Sequence, residues 1–142
     1  MDNKWLTMVG NTLLKCSVEA KGQIMLSEGY TKIIYGAFEH CEQITKVTLP
    51  STITTIGAGA FAGCTYLSTV DLSATQLVRI PECLFAYCKN LQKVYLPDAI
   101  REMDEPLTFK TARQAAPSFF AFFNASMVSM VSPDWDTAIK SV

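Results

Sequence analysis

Residues 44–72 read ITKVTLPSTITTIGAGAFAGCTYLSTVDL, and this stretch begins and ends with nearly the same phrase. It therefore holds one whole unit of a repeat and the start of the next. A shift of 23 residues superposes six apolar positions of the preceding unit on this one: Ile33 on Ile56, Phe38 on Phe61, Cys41 on Cys64, Ile44 on Leu67, Val47 on Val70 and Leu49 on Leu72. A further shift of 24 reaches the same positions of a third unit: Ile80, Phe85, Cys88, Leu91, Val94 and Leu96. This return in register predicts a repeat architecture.

Each unit has a single apolar side and is too small to form a core alone, so units must stack and join their apolar sides. Val70 and Leu72 stand two residues apart on the same face of a strand, and that face should point inward. Neighbouring strands lie about 4.8 Å apart. Equivalent side chains should therefore form columns: Val47, Val70 and Val94; Leu49, Leu72 and Leu96; Phe38, Phe61 and Phe85.

A period of about 20 to 29 residues is typical of leucine-rich-repeat solenoids. The second unit spells, in order, Leu49-Pro50, Ile53, Ile56-Gly57, Ala60-Phe61, Cys64, Leu67, Val70 and Leu72. Over residues 24 to 103 this spelling resembles the BspA-like leucine-rich repeats, and Thr75 stands where commoner leucine-rich repeats have asparagine. The resemblance implies a right-handed solenoid of the α/β superhelix class, β-rich with few short helices, about four to five coils long.

Length and composition fit one leucine-rich-repeat domain over residues 1–142. The chain is 49% hydrophobic and 18% charged, which argues against disorder. We expect a cap hairpin in residues 1–17, repeats in 18–103, and an irregular last coil with a cap helix in 104–142. The net charge is −1 with scattered Lys and Arg, which predicts no nucleic-acid surface and no polybasic membrane patch.

Two short apolar runs near the start of the chain flank Gly10-Asn11. Such a two-residue connection suits a hairpin turn, so residues 6–9 and 12–15 are predicted to pair and to cover the open end of the first coil. Residues 21–26 are then the first repeat strand, because they stand one period before the strand of the next unit.

The third unit departs from the pattern twice. One extra residue between Leu72 and Leu77 accounts for the step of 24 and predicts a small bulge on the short second strand. Pro81 replaces the usual glycine, which is compatible with a turn but not with the interior of a sheet.

The repeat pattern breaks after Met103. Residues 108–116 are predicted to form a short helix, and a family-like phrase returns only at residues 127–133. Ser132 and Pro133 can begin a C-terminal cap helix. The apolar residues of that helix recur at helical spacing: Trp135, Ala138, Ile139 and Val142.

Residues 114–133 carry no charge and have about the length of a membrane span. Two prolines, an asparagine and four serines within or bounding them favour the last coil and its cap, so we predict no membrane insertion. Phenylalanines in this stretch form a competing surface for a partner: Phe119, Phe120, Phe122 and Phe123.

Few residues suit catalysis or metal binding. His40 is the single histidine and has no second histidine or acidic partner at ligand spacing. No phosphate loop, nucleophile elbow or paired carboxylates appear in the sequence. We therefore predict no catalytic, cofactor-binding or metal site.

Three of the five cysteines, Cys41, Cys64 and Cys88, share one repeat position. They match the structural cysteine of the BspA-like family that the chain resembles. We predict reduced thiols buried as small apolar groups. A disulfide between stacked thiols is the alternative, although parallel side chains in a column are poorly aimed to bridge. Cys83 falls where the earlier units have glycine, so it should lie nearer the surface.

The outward positions of the long strands are the candidate site and should tile the concave sheet. They are Gln23, Met25, Lys46, Thr48, Thr69, Asp71, Lys93 and Tyr95. The resemblance implies a protein-recognition or adhesion module at the cell surface or secreted, with a host extracellular or surface protein as the kind of partner. A structural spacer in a larger cell-surface protein is the alternative, an enzyme is a third hypothesis, and a solvated sheet without ligand also stays open.

The start of the chain does not look like a signal peptide, because it has an acid at position 2 and only a short apolar run before Gly10. The sequence is therefore expected to belong either to an intracellular protein or to a fragment of a longer exported one.

Overall fold

The structure is a computed structural model that describes residues 3–103, a series of short strands joined by tight turns. A 3-10 helix spans Asn3–Trp5, followed by β1 (Leu6–Val9), β2 (Thr12–Cys16), β3 (Lys21–Met25), β4 (Lys32–Ile33), β5 (Gln43–Thr48), β6 (Thr55–Ile56), β7 (Thr69–Asp71), β8 (Arg79–Ile80), β9 (Lys93–Tyr95) and β10 (Glu102–Met103). Three sheets result, with strand orders β3-β5-β7-β9, β1-β2-β4-β6 and β10-β8.

The first of these, the long-strand sheet, is parallel throughout and holds one strand from each of four coils. Its register pairs Ile24 with Val47, Val47 with Val70, and Val70 with Val94, and all four side chains are buried. The predicted valine column is therefore confirmed. In the leucine column, Leu49 and Leu72 are buried and Leu96 is partly buried.

The phenylalanine column is also confirmed. The rings of Phe38 and Phe61 stack with centroids 5.0 Å apart, and those of Phe61 and Phe85 with centroids 5.8 Å apart. All three side chains are fully buried. Each stacked pair adds about 0.5–1.5 kcal/mol to the gain from buried area alone, so this column ties three coils together.

The predicted hairpin at the N-terminus is present. β1 and β2 are antiparallel, with Leu6 opposite Cys16 and Val9 opposite Thr12. The turn uses Gly10 in the left-handed region, with φ of 60°. β2 then pairs in parallel with β4, so the hairpin extends the short-strand side of the stack before the first repeat.

The short-strand side is interrupted between the second and third coils. β4 pairs with β6 and β8 pairs with β10, but within residues 3–103 no ladder joins β6 to β8. Between the first and second coils, the backbone N–H of Thr54 donates to the carbonyl of Thr31. Between the second and third coils, the bond comes from Gln76, which stands two residues before the position equivalent to Thr54 and donates to the carbonyl of Ile53 at 2.9 Å. The predicted bulge is wrong, because the extra residue shifts this bond and opens the ladder.

Pro81 directly follows β8 and lies outside the strand, as the sequence predicts for a turn position. In the preceding coil Gly57 stands at this position, and its N–H donates to the carbonyl of Ile33 at 2.8 Å. Proline has no N–H to give, so this ladder bond cannot be repeated in the third coil.

Two positions in each of the first three coils have the left-handed backbone conformation. At the first position stand Gly36, Gly59 and Cys83, with φ of 64°, 61° and 57°; at the second stand His40, Gly63 and Tyr87, with φ of 60°, 76° and 61°. A side chain in this conformation costs roughly 1–2 kcal/mol. Cys83 is partly exposed at a glycine position, as predicted, and the third coil has a side chain at both positions.

The structure thus describes a β-solenoid of about four turns, whose only helical element within residues 3–103 is the 3-10 helix. The predicted helix at 108–116, the irregular last coil, the C-terminal cap helix and the phenylalanine cluster lie outside the described residues.

Candidate functional site

The eight outward residues predicted from the sequence lie on one face of the long-strand sheet. The strand register aligns them in two columns, which we call the lysine column (Gln23, Lys46, Thr69 and Lys93) and the tyrosine column (Met25, Thr48, Asp71 and Tyr95). The alternation along each strand is the cause, because inward and outward side chains point to opposite faces.

Exposure differs between the edges and the middle of this face. Met25 on β3 is 55% exposed and Tyr95 on β9 is 40% exposed, and Gln23 and Lys93 on the same two strands are also exposed. The four residues of β5 and β7 are half-buried, because side chains flank them on both sides. The side chains on the two edge strands, β3 and β9, therefore form two exposed rims, and the less exposed side chains of β5 and β7 lie between them.

The charges on the face are two ammonium groups and one carboxylate. Lys46 and Lys93 belong to the lysine column, and Asp71 lies in the tyrosine column. One carboxylate oxygen of Asp71, Oδ1, accepts hydrogen bonds from the backbone N–H of Ser73 at 3.0 Å and from its hydroxyl at 2.6 Å. Asp71 thus stabilises the turn after β7.

The buried thiols of Cys41, Cys64 and Cys88 form a column inside the coils, which we call the thiol ladder. The thiols of Cys64 and Cys88 donate to the carbonyls of Phe38 and Phe61 on the preceding coil, with Sγ–O distances of 3.1 and 3.0 Å. Cys41 donates in the same way to the carbonyl of Cys16 at 3.5 Å. These three cysteines are buried as predicted, and all five cysteines of the chain are free.

Sequence reasoning missed Cys16 as the first member of this ladder. Cys16 is fully buried and lies 25 residues before Cys41, a spacing that differs from the repeat because the hairpin precedes it. A side-chain hydrogen bond with Cys41 and burial raise the pKa of the Cys16 thiol. A hydrogen bond with Cys88 and burial raise the pKa of the Cys64 thiol. Both stay protonated at neutral pH and are poor nucleophiles.

His40 is exposed on a turn, where its ring lies over the backbone of Gly63. A Cβ atom on Gly63 would stand only 2.5 Å from Nδ1 of His40. Nε2 of His40 is 3.7 Å from Oε1 of Glu39. Among residues 3–103 no group of three or more His, Cys, Asp or Glu side chains could hold a metal ion.

Three exposed tyrosines that the sequence did not single out lie on turns away from the long-strand sheet. They are Tyr35, Tyr66 and Tyr87, and they are 76%, 62% and 65% exposed. Their place in the turns between the repeat's apolar positions was the available signal.

In the described part of the chain, no helix is both long and apolar enough to cross a membrane.

Comparison with known families supports the repeat assignment directly. The pattern described as a BspA type leucine rich repeat region matches residues 9–113 in six copies. No curated protein matches the chain.

Solved structures with the same fold come from bacteria. A leucine rich cell surface protein from Faecalibacterium prausnitzii A2-165 shares 26% identity with a TM-score of 0.62, over 65% of this chain and 24% of its own. A leucine-rich repeat protein from Bacteroides capillosus shares 25% identity with a TM-score of 0.59, over 82% of this chain and 95% of its own. The T. pallidum leucine-rich repeat protein, at 20% identity, matches in fold with a TM-score of 0.65, over 84% of this chain and 57% of its own.

The chain therefore spans about a quarter of the length of the F. prausnitzii protein and nearly the whole length of the B. capillosus protein.

Proposed function

The chain belongs to the BspA type leucine-rich repeat family, and on that premise we propose that it is a non-enzymatic recognition or adhesion module that binds a protein through its long-strand sheet. The observation that carries this is the pair of outward columns, which present Met25 on one edge strand, Tyr95 with Lys93 on the other, and Lys46 between the two edges. The likeness to a cell surface protein supports a cell-surface location for this module.

The size of the face limits how a partner can use it. Four strands about 4.8 Å apart span about 15 Å, whereas a standard interface buries about 800 Å² on each partner. The outward columns are smaller than that. A partner would thus insert a loop or an extended segment here and use neighbouring turns or further coils for the rest of its contact.

Binding energy in such a site concentrates in a few residues, and exposed aromatic side chains are the usual anchors. Tyr95 is the single aromatic residue in the two columns, and Lys93 stands two residues before it on the same face. Truncation of a hot-spot residue typically costs about 2 kcal/mol or more. Tyr95→Ala should therefore weaken partner binding at least about tenfold.

The test is a binding screen of the chain against host extracellular and surface proteins, followed by titration of the variants with the partner found. Lys32→Ala is the matched control, because Lys32 is exposed on β4 and outside the long-strand sheet. Normal binding by Tyr95→Ala, together with loss of binding by Phe120→Ser at an unchanged melting temperature, would place the contact near the C-terminus and reject the long-strand sheet.

A structural spacer within a larger surface protein is the second candidate, supported by the 24% share of the F. prausnitzii protein that this chain spans. The test is the parent protein, if its gene extends beyond these residues, with and without residues 1–142. Unchanged partner binding by the deleted form would favour the spacer, and loss of binding would favour recognition.

A further inference from the structure

Three exposed side chains with rings stand on the turns that join the phenylalanine column to the long strands, one on each of three successive coils. They are His40, Tyr66 and Tyr87, and we call them the ring cluster. None of them belongs to the outward columns of the long-strand sheet. A ligand of the ring cluster would therefore be separate from a partner bound on that sheet.

Backbone hydrogen bonds between the coils fix two members of the cluster in one column. The N–H of His40 donates to the carbonyl of Ala62 at 2.9 Å, and Ala62 directly precedes Gly63. One coil further, the N–H of Gly63 donates to the carbonyl of Ala86 at 2.8 Å, and Ala86 directly precedes Tyr87. His40, Gly63 and Tyr87 therefore occupy equivalent places on three stacked coils.

The second coil brings Tyr66 beside this column. Tyr66 stands three residues after Gly63, and Nδ2 of Asn90 on the next coil donates to the carbonyl of Thr65 at 2.8 Å, which fixes the turn. A Cβ atom on Gly63 would stand only 2.5 Å from Nδ1 of His40. The imidazole therefore lies over the second coil, the coil that carries Tyr66.

Tyr87 holds a large ring where the backbone favours glycine. Its φ is 61°, and the equivalent residue of the preceding coil is Gly63. A bulky side chain rarely adopts this conformation, because its Cβ approaches the following carbonyl oxygen. Since the ring is 65% exposed, the core does not require it. Strained residues of this kind concentrate at binding sites, which makes Tyr87 a candidate contact for a ligand.

Opposite charges flank the ring cluster along the stacking direction. Glu39 and Glu42 are exposed on the first coil, and Lys89 is exposed on the third. On the second coil, Ala62 and Thr65 stand at the places equivalent to Glu39 and Glu42 and carry no charge. A ligand that lies along the coils would thus meet an acidic end, a stretch of rings and a basic end.

The spacing of the coils favours one kind of extended ligand. Coils about 4.8 Å apart place the backbones of His40 and Tyr87, two coils apart, about 9.6 Å from each other. A polyproline II helix rises about 3.1 Å per residue and repeats after three residues, or about 9.3 Å. Prolines three residues apart therefore match this spacing. Surfaces lined by aromatic side chains bind such segments because the helix is already formed and loses little entropy.

We propose that the ring cluster binds a proline-rich segment of a partner protein in the polyproline II conformation, aligned with the stacking direction of the coils. Two prolines three residues apart contact His40 and Tyr87, and Tyr66 contacts the residues between them. A basic residue that flanks the prolines pairs with Glu39 or Glu42.

The experiment is an NMR titration of the isotope-labelled chain with an acetylated and amidated peptide of three proline-proline-alanine units that carries one arginine at its amino end. A second peptide carries the arginine at its carboxyl end, because the helix can lie in either direction. At least one of them should shift the amide signals of Gly63, Tyr66 and Tyr87 saturably. No saturable shift with either peptide would overturn the proposal.

A peptide of glycine and serine with the same length and the same arginine is the flexible control. It should bind at least about tenfold more weakly, because it lacks the proline rings and must be ordered on binding. Equal binding of the flexible peptide would overturn the proposal. Saturable shifts with cellohexaose and none with the proline peptides would show a carbohydrate-binding surface, and would overturn it as well.

Tyr87→Gly separates binding from folding, because it copies the residue of the preceding coil and removes the backbone strain. It should keep the melting temperature of the original chain and bind the proline peptide at least about tenfold more weakly. Tyr35→Ser is the matched control, since Tyr35 is an exposed tyrosine on a turn outside the cluster. If the two variants bind alike, the ring of Tyr87 is not part of the site and the proposal fails.

The acidic end is tested with the double variant Glu39→Gln and Glu42→Gln. Exposed ion pairs contribute little, so its affinity for the better arginine peptide should fall only about two- to fivefold. Its affinity for the same peptide with alanine in place of arginine should not change. An equal fall for both peptides would overturn the pairing of the basic flank with these carboxylates.

Discussion

The long-strand sheet runs unbroken through four coils, whereas the short-strand side opens between the second and third. Inside the stack the columns continue past the opening: Ile53 and Leu77 are both buried, and Phe61 still stacks on Phe85. We call the contact between the second and third coils the open interface and the contact between the first and second coils the closed interface. The ring centroids are 5.8 Å apart across the open interface and 5.0 Å apart across the closed one. The apolar columns therefore keep their register across the opening, where the ladder bonds between β6 and β8 are missing.

Magnitudes explain why the columns prevail. A hydrogen bond contributes about 0.5–1.5 kcal/mol net, because water bonds to the same groups in the unfolded chain. Burial of a valine, leucine or phenylalanine side chain contributes about 1.5–3 kcal/mol. Loss of a two-residue ladder can thus be tolerated while the columns remain. A substitution should therefore change the free energy of unfolding more when it disrupts a column than when it disrupts a ladder.

The largest effect should come from a charge in a column that both interfaces share. Leu72 is fully buried, so Leu72→Asp would place an unpaired carboxylate in the core at a cost of several kcal/mol. This is comparable with the whole stability of a small domain, and we expect unfolding. Thr69→Asp, on the outward face of the same coil, should be nearly silent. Circular dichroism and thermal melts that show both variants equally stable would reverse the inward and outward assignment.

Thiol labelling compares the two interfaces directly. Cys64 and Cys88 bond to the preceding coil at nearly the same distances, one across the closed interface and one across the open one. Both should react with a thiol reagent at least about 100-fold more slowly than the partly exposed Cys83, because burial requires the coils to open first. Brief labelling and mass spectrometry measure the rates. If Cys88 reacts as fast as Cys83, the open interface unfolds locally and the columns do not hold it.

Gly57 tests the closed interface alone. A Cβ atom on Gly57 would stand 2.6 Å from the carbonyl carbon of Ile34, in contact with backbone that cannot move aside. Gly57→Ala should therefore lower the free energy of unfolding by at least about 2 kcal/mol. Gly29→Ala is the control, since its Cβ would have no neighbour nearer than 3.8 Å. Equal chemical denaturation midpoints for the two variants would show that the closed ladder yields easily.

The smallest effect concerns the third coil, which follows the open ladder. Cys83 has a φ of 57°, so Cys83→Gly should relieve roughly 1–2 kcal/mol of backbone strain. Glycine adds about 0.5–1 kcal/mol of entropy cost on folding, which leaves a net gain of about 0.5 kcal/mol.

The matched control for this gain is Ala86→Gly, because Ala86 is not among the residues with positive φ. That variant should lose about 0.5–1 kcal/mol and melt at a lower temperature. A drop in melting temperature for Cys83→Gly as large as for Ala86→Gly would mean that no strain is stored at Cys83.

Much of the candidate site followed from the sequence, because alternation along a strand decides which side chains face outward and the repeat decides which of them are neighbours. Lys46 and Thr69, for example, could be placed side by side from the spacing alone. Their partial burial could not, since it depends on how far the flanking side chains lean over them. The outward role of the eight residues in binding stays a prediction.

The sequence by itself determined the columns, the hairpin at Gly10-Asn11 and the partial exposure of Cys83, because each depends on residue type at a fixed spacing. Tertiary structure alone decided what became of the extra residue before Leu77. A bulge and an open ladder both keep Leu77 in its column, so the pattern of apolar residues is the same for the two. The choice depends on which carbonyl the N–H of Gln76 reaches, and Ile53, on the neighbouring coil, accepts that bond only once the coils are packed.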